Sequence, residues 1–254
     1  LQQNLVGQKK VADEVVHALT HSSFGIQPST KPLASFLFLG GTGVGKTFTA
    51  KLIAEHFFSH KDALIRFDMS EFGERHSVAQ MIGAPAGYVG YGEGGKLTEA
   101  IRRRPYSVVL FDEIDKAHPD VWNILLQVLD EGKLTDAEGR TVDFRNTVII
   151  LTSNQGSGQA GQDARIGFET KDKKGVLHPE ALAHQEKSLI KKVQKSWRPE
   201  LFARLGTVLV FAPLTPAAVK QIVQSEIKNL KKLFKEKGVT LSSDAAVTNF
   251  LAKG

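Results

Sequence analysis

Residues 40–47 read Gly-Gly-Thr-Gly-Val-Gly-Lys-Thr and match the pattern G-x-x-x-x-G-K-[ST] at every fixed position. The motif follows an apolar run at 35–39 and precedes a helical pattern at 46–58, which is the context that the pattern requires. Glycines let the backbone wrap closely around phosphate oxygens, and the start of a helix adds the positive end of its dipole. The full motif in this context favours a phosphate-binding loop over a glycine-rich turn that merely starts a helix.

The motif predicts a role in nucleotide binding for most residues of the loop. Lys46 is expected to reach the β- and γ-phosphates of ATP and so to act in catalysis, and the Thr47 hydroxyl is expected to hold Mg²⁺. The predicted cofactors are therefore ATP or ADP, together with Mg²⁺. The expected nucleotide-binding residues of the loop are Gly41, Thr42, Gly43, Val44, Gly45, Lys46 and Thr47.

Short apolar runs alternate with helical patterns along most of the chain. The runs lie at 35–39, 64–67, 107–111, 147–151 and 207–211, and the helical patterns between them at 46–58, 94–103, 117–130 and 182–196. This alternation predicts an α/β fold with a five-stranded parallel sheet flanked by helices. From Pro213 onward two amphipathic helices are expected, at 215–237 and 242–252. The glycine-rich segments 70–91 and 154–179 are predicted to be surface loops.

Two acids follow the apolar run at 107–111, and they suggest hydrolysis. Carboxylates at the carboxyl end of a parallel strand face the ligand crevice of such folds. Asp112 is expected to bind the nucleotide-associated Mg²⁺, and Glu113 to act as the general base for the attacking water. The alternative is an exposed acidic turn after a strand, which the upstream phosphate-binding loop makes the weaker interpretation.

Composition narrows the class of protein further. The chain contains no cysteine, which suits the cytoplasm, and no apolar run approaches the roughly 18 residues of a membrane span. The formal net charge is +6, but its lysines recur at helical spacing, as expected for solvated helix faces. Neither a membrane nor a nucleic acid is therefore predicted as a partner. The lysines concerned are Lys187, Lys191, Lys192, Lys195, Lys228, Lys231, Lys232 and Lys235.

Several further sequence segments resemble those of the Clp (heat-shock 100) AAA+ ATPases. They are GYVGY at 87–91, LTEA at 97–100, RRRPYS at 102–107, DEIDKAHPDV at 112–121, GKLTD at 132–136, DFRNT at 143–147 and TSN at 152–154. The resemblance runs from about residue 6 to residue 211 and is closest to the second nucleotide-binding module of two-module members. It implies an AAA+ P-loop ATPase in a homo-hexameric ring that unfolds or disaggregates polypeptides, as a chaperone or as the regulatory ATPase of a Clp-type protease.

The resemblance also implies roles that spacing alone does not. Val6 looks like part of the segment that packs near the adenine, and Asn154 is similar to the family's sensor of the γ-phosphate. The run WRPELFAR at 197–204 resembles the family segment that ends in an arginine finger, which makes Arg204 the finger for the neighbouring subunit's ATP and Arg198 a weaker candidate.

Three surface segments carry the expected contacts with other polypeptides. By the resemblance, Tyr88 and Val89 face the central pore and pull the substrate, although an aromatic among glycines is as often a loop anchor. Residues 133–141 look like a second pore loop, with Asp136 and Arg140 as polar contacts. The tripeptide Ile166, Gly167 and Phe168 stands where some members dock on a ClpP-like peptidase, whereas pure disaggregases carry another short turn there.

The predicted domains are residues 1–212 for the large AAA+ domain and 213–254 for a small helical lid. The lid is expected to be truncated, because the family's lid arginine has no counterpart before the last residue. Missing upstream domains are expected as well. A clamp or helicase loader acting on nucleic acid remains the alternative function, and a non-hydrolysing structural subunit is the third.

Overall fold

The computed structural model describes residues 4–23, 30–84, 87, 92, 94–155 and 179–252. Within these ranges the helices are α1 (Lys9–Ser23), α2 (Lys46–Phe57), α3 (Arg75–Ile82), α4 (Lys96–Arg103), α5 (Pro119–Glu131), α6 (Pro179–Ser196), α7 (Pro199–Arg204), α8 (Pro216–Glu236) and α9 (Ala245–Leu251). The strands are β1 (Ala34–Leu39), β2 (Leu64–Asp68), β3 (Ser107–Asp112), β4 (Lys133–Thr135), β5 (Thr141–Asp143), β6 (Thr147–Ser153) and β7 (Thr207–Val210).

Five of the strands form one parallel sheet in the order β2-β3-β6-β1-β7. Every residue of β3 and of β6 is buried, because helices cover both faces of the sheet, and this explains why the strands are continuous apolar runs. The predicted five-stranded parallel α/β fold is confirmed. Since the strands are parallel, the carboxyl ends of β1, β3 and β6 meet at one edge, which positions the site described below.

The two faces of the sheet carry separate hydrophobic cores. One contains side chains of α1 and α2, such as Val15 and Ile53, packed against alternate residues of the central strands, such as Leu110. The other contains side chains of α3, α4 and α5, such as Met81 and Leu125. Successive residues of a strand point to opposite faces, so Asp112 lies on the same face as Leu110 and therefore on the side of α2.

The prediction of a surface loop at 70–91 is wrong over its first half. The segment forms a short 3-10 helix (Met69–Phe72) and then α3, and Phe72, Val78 and Met81 are buried in the core below α5. Apolar residues within this stretch are spaced for a helix, and three of its four glycines, Gly83, Gly87 and Gly90, come after α3 has ended. The segment 133–141, expected to be a loop, begins and ends in the two-stranded antiparallel sheet β4–β5. These strands are three residues each, too short for a visible pattern.

The chain after β7 forms the helical pair α8 and α9, as expected. Their surface retains large exposed apolar side chains, including Leu233 and Phe250. Of the eight lysines expected on solvated faces, all but Lys231 are exposed. Among the helices that the structure describes, none is both long enough and apolar enough to traverse a lipid bilayer.

Candidate nucleotide site

The loop between β1 and α2 curves around the side chain of Lys46. Lys46 is 7% exposed, and its Nζ donates hydrogen bonds of 2.7 Å to the carbonyl oxygens of both Gly40 and Gly41. Gly45 caps α2 at φ 107°, a conformation that a residue with a Cβ rarely adopts. The backbone is therefore folded around one cation at the start of a helix, an arrangement that suits phosphate.

The carboxylate of Asp112 lies opposite this helix start. Its Oδ2 accepts a hydrogen bond of 3.3 Å from Thr47 Oγ1, and its Oδ1 accepts one of 2.6 Å from Thr152 Oγ1. A hydroxyl and a carboxylate are the hard oxygen donors that Mg²⁺ prefers, so Thr47 and Asp112 fit that ion. Burial lowers the pKa of the Lys46 ammonium, and the Asp112 carboxylate raises it part of the way back.

Glu113 occupies a strained position immediately after β3. Its φ of 56° is uncommon for a residue with a side chain, and its backbone N–H donates a hydrogen bond of 2.9 Å to Thr152 Oγ1. The carboxylate lies 2.5 Å from Lys116 Nζ through Oε2, and this contact raises the pKa of the Lys116 ammonium. Thr152 therefore contacts both Asp112 and Glu113. The turn after β3 places the Glu113 carboxylate beside Asn154, which follows β6.

Asn154 joins the two halves of the site. Lys46 Nζ donates to Asn154 Oδ1 at 2.7 Å, and Asn154 Nδ2 donates to Glu113 Oε1 at 2.7 Å. Lys46 and Asn154 are 108 positions apart in the sequence. The structure thus brings five predicted residues to one edge of the sheet: Lys46, Thr47, Asp112, Glu113 and Asn154.

Sequence reasoning missed the residues that hold these groups in place. Thr152 and Lys116 carried no separate signal, because a threonine in a strand and a lysine in an acidic turn are common. Arg66 did carry one, since it is the charged residue inside the otherwise apolar run 64–67, and its guanidinium contacts Asp112 Oδ2 at 2.8 Å.

The segment around Val6 lies beside the loop and beside the chain that leads into α8. Val6 itself is half-buried. Its neighbour Gln8 donates from Nε2 to the carbonyl oxygens of Val44 and Ala212, at 3.3 and 2.7 Å, and accepts from the Ala212 N–H. Gln8 therefore connects the phosphate-binding loop directly to the start of the helical pair, a contact that the sequence did not suggest.

Arg204 lies at the opposite edge of the sheet from Lys46. It ends α7, and two residues later Gly206 N donates to Ser35 Oγ at 2.8 Å, at the amino end of β1. The six residues of β1 separate that edge from the phosphate-binding loop by roughly 20 Å. Arg204 lines a cavity of about 290 Å³ there, and its Nε is 3.2 Å from Asp130 Oδ2. It does not reach the nucleotide site of its own chain.

The residues expected to contact other polypeptides are only partly described. Tyr88 and Val89 lie outside the described residues, as do Ile166, Gly167 and Phe168.

In the predicted second pore loop, Asp136 is buried and accepts hydrogen bonds from the N–H groups of Glu138 and Arg140. Arg140 Nε also pairs with Asp136 Oδ2 at 2.7 Å. Asp136 therefore shapes this turn and is not an exposed polar contact.

We expect Asp136→Ala to lower the unfolding free energy by about 1–3 kcal/mol, because two backbone N–H groups lose their acceptor. Burial raises the pKa of Asp136, but the hydrogen bonds from Arg140 and Glu138 outweigh it, and the net pKa is lowered. The charged form thus stabilises the fold above the unfolded-state pKa, and this contribution disappears as the pH falls through the folded-state value. The difference in melting temperature between the Asp136→Ala variant and the unchanged chain should therefore become smaller at acidic pH.

Glu138→Ala is the matched control, since Glu138 lies on the same turn and, among the described residues, its carboxylate makes an ion pair with Arg140. Its effect should stay below about 1 kcal/mol. Equal losses for the two variants would contradict the role given to Asp136.

The chain matches known proteins along its whole length. A family model described as AAA domain (Cdc48 subfamily) matches residues 31–208. The chain is 48% identical over 253 residues to the chaperone protein ClpB of Bacteroides thetaiotaomicron, with 100% of the chain and 29% of that protein covered. It is 47% identical over 253 residues to ClpB of Meiothermus ruber, with 100% of the chain and 28% of that protein covered.

A third relative carries a different name. The ATP-dependent Clp protease ATP-binding subunit ClpC of Staphylococcus aureus is 47% identical over 242 residues, which cover 95% of the chain and 29% of that protein. The chain spans less than a third of the length of these relatives. The sheet order, the connected residues at its carboxyl edge and these matches agree, and the chain belongs to the AAA domain family and, within it, to the Clp/Hsp100 ATPases.

Proposed function

We propose that this chain hydrolyses ATP and uses the energy to thread polypeptides through a hexameric ring. The observation that carries the ATPase part is the hydrogen-bonded connection from Lys46 through Asn154 to Glu113. It links a phosphate-binding cation, a polar side chain that can report on the γ-phosphate, and a carboxylate suited to activate water. A domain that only binds phosphate has no need for the last two.

In this proposal each residue of the site has a defined role. Lys46 would exchange the carbonyl oxygens of its own loop for phosphate oxygens, and Thr47 and Asp112 would hold Mg²⁺, which would neutralise phosphate charge. Glu113 accepts the proton of the attacking water, while Asn154 fixes the orientation of the Glu113 carboxylate. Val6 contributes to the adenine side, and Gln8 transmits the position of the loop to the helical pair.

Arg204 completes the site of the next subunit. Its position at the opposite sheet edge rules out a role in its own chain's site and suits a ring in which that edge meets the neighbour's carboxyl edge. The partners inferred are five further copies of the chain and an unfolded or aggregated polypeptide. We further infer that residues 1–212 are the ATPase domain, that 213–254 belong to the lid, and that the protein is cytoplasmic, as its lack of cysteine suggests.

The relatives' names support two versions of the polypeptide motor. ClpB is named a chaperone and ClpC a protease subunit, and the identities of 48% and 47% do not separate them. Docking on a ClpP-like peptidase through Ile166, Gly167 and Phe168 belongs to the second version alone. Tyr88 and Val89 as the substrate grip are common to both.

Tyr88→Ala in the intact protein should abolish unfolding of a tagged fluorescent substrate while ATP turnover stays within about twofold, because the ring loses its aromatic grip but not its nucleotide site. Tyr88→Phe keeps the flat ring and should retain unfolding. Tyr106→Ala is the control, since Tyr106 is 64% exposed and lies outside this segment. Normal unfolding by the Tyr88→Ala protein would exclude the pore role.

A further inference from the structure

The carboxylate of Asp112 has a second cationic neighbour besides Lys46. Arg66 Nε and Nη2 lie 3.0 and 2.8 Å from Asp112 Oδ2. Arg66 is paired in register with Leu110, and Asp112, two residues further along β3, faces the same side. The Asp112 side chain is 9% exposed and that of Arg66 is 51% exposed. A half-exposed guanidinium therefore covers a nearly buried carboxylate.

The oxygen that Arg66 contacts is also the one that faces Thr47. Thr47 Oγ1 donates to Asp112 Oδ2 at 3.3 Å, whereas the other oxygen, Oδ1, is hydrogen-bonded to Thr152. Thr47 Oγ1 and Asp112 Oδ2 are therefore the two oxygens that would hold a metal ion here. Arg66 and a metal ion would thus compete for the same carboxylate oxygen. Two cations bound to one oxygen would also repel each other.

The surroundings of Arg66 offer its guanidinium another position. Arg66 lines a cavity of about 350 Å³ together with Phe67, Asp68, Glu71, Phe72 and Lys96. Two of these residues are carboxylates, while Lys96 Nζ donates to Gln80 Oε1 at 3.2 Å. Asp68 lies two residues after Arg66 on β2 and therefore faces the same side of the sheet. The Ser70 hydroxyl lowers the pKa of Asp68 most, and the charge of Arg66 lowers it further.

We propose that Arg66 is a displaceable counter-ion that positions Asp112 and sets its affinity for Mg²⁺. Arg66 holds the Asp112 carboxylate between turnovers and moves toward Asp68 and Glu71 when the metal binds. The inference rests on the proposed Mg²⁺–nucleotide site. Its consequence is that Asp112 would release Mg²⁺ more readily after turnover, because Arg66 competes for the same carboxylate oxygen.

The test measures metal affinity in the intact protein, with Mn²⁺ as a paramagnetic probe and saturating ADP. Arg66→Ala should bind Mn²⁺ about three- to tenfold more tightly, the loss expected for a competing ion pair that is partly exposed. Arg75→Ala is the matched control and should leave the affinity unchanged, since Arg75 is 87% exposed and 3.8 Å from its acidic partner. Damage to the fold weakens binding, so tighter binding cannot be a structural side effect.

If the Arg66→Ala variant does not fold, the same measurement of Mn²⁺ affinity can be made on Arg66→Lys. Lysine keeps the charge but loses the two-nitrogen contact, and its Mn²⁺ affinity should rise by a smaller factor in the same direction. Unchanged or weaker Mn²⁺ binding in a folded Arg66 variant overturns the proposal. Asp112→Asn tests separately whether Asp112 holds the metal. If that substitution leaves Mn²⁺ binding intact, the assignment of the metal to Asp112 is wrong, whatever the Arg66 variants show.

Discussion

Replacing Glu113 with glutamine is expected to lower the rate of ATP hydrolysis by about 10²–10⁴-fold, the usual contribution of a positioned general base. Glutamine keeps the size of the side chain and can still accept a hydrogen bond from Asn154, whose Nδ2 is 2.7 Å from Glu113 Oε1. The amide cannot take a proton from water, however. ATP binding should therefore persist while hydrolysis slows by this factor, and nucleotide-binding and single-turnover measurements on the intact protein check the two results.

Two further variants serve as controls for the Glu113→Gln result. Glu131→Gln removes an exposed carboxylate at the end of α5 and should leave turnover unchanged. Lys46→Ala removes the cation that the loop encloses and should weaken ATP binding itself. A Glu113→Gln protein that binds ATP poorly, or one that hydrolyses it at the original rate, would contradict the assignment of Glu113 as the base.

The strands and the main site residues were predictable because their signals are local. The phosphate-binding loop is one uninterrupted stretch, and Asp112 and Glu113 directly follow the apolar run 107–111, which is buried on both faces of the sheet. The order of the strands in the sheet depends on pairing between distant segments, such as β1 with β6 and β7, and no local pattern encodes it. The sequence therefore predicted which residues form the site, whereas the distances between them became known only from the fold.

The misses have different physical origins. Helix α1 was not predicted, although Val11, Val15 and Leu19 are buried at helical spacing. Thr152 holds Asp112 and Glu113 through hydrogen bonds that only the pairing of β3 with β6 makes possible. Arg66 was visible as a charge in an apolar strand, but its partner could not be identified before Asp112 was placed on the neighbouring strand.

The position of Arg204 leads to the second large effect. Arg204→Ala in the intact protein should lower ATP turnover by about 10³-fold or more, because a guanidinium that neutralises the γ-phosphate has effects of that size. The loss of stability should be small, since the side chain is partly exposed and its contacts are an ion pair with Asp130 and a hydrogen bond to the Glu200 carbonyl oxygen. Arg198→Ala provides the comparison: Arg198 donates to Asn123 Oδ1 at 2.7 Å, and its loss should cost much less turnover.

Mixing two inactive variants tests whether Arg204 acts between subunits. An Arg204→Ala subunit keeps its own Glu113, and a Glu113→Gln subunit keeps its own Arg204. If Arg204 serves the neighbour, a ring assembled from equal amounts of both regains up to about a quarter of the original turnover, since one ordered pair in four is complete when each interface joins unlike surfaces. If Arg204 served its own chain, no pair would be complete and the mixture would stay as inactive as its parts. The six residues of β1 between Arg204 and the phosphate-binding loop favour the first result, because no arginine side chain spans that distance.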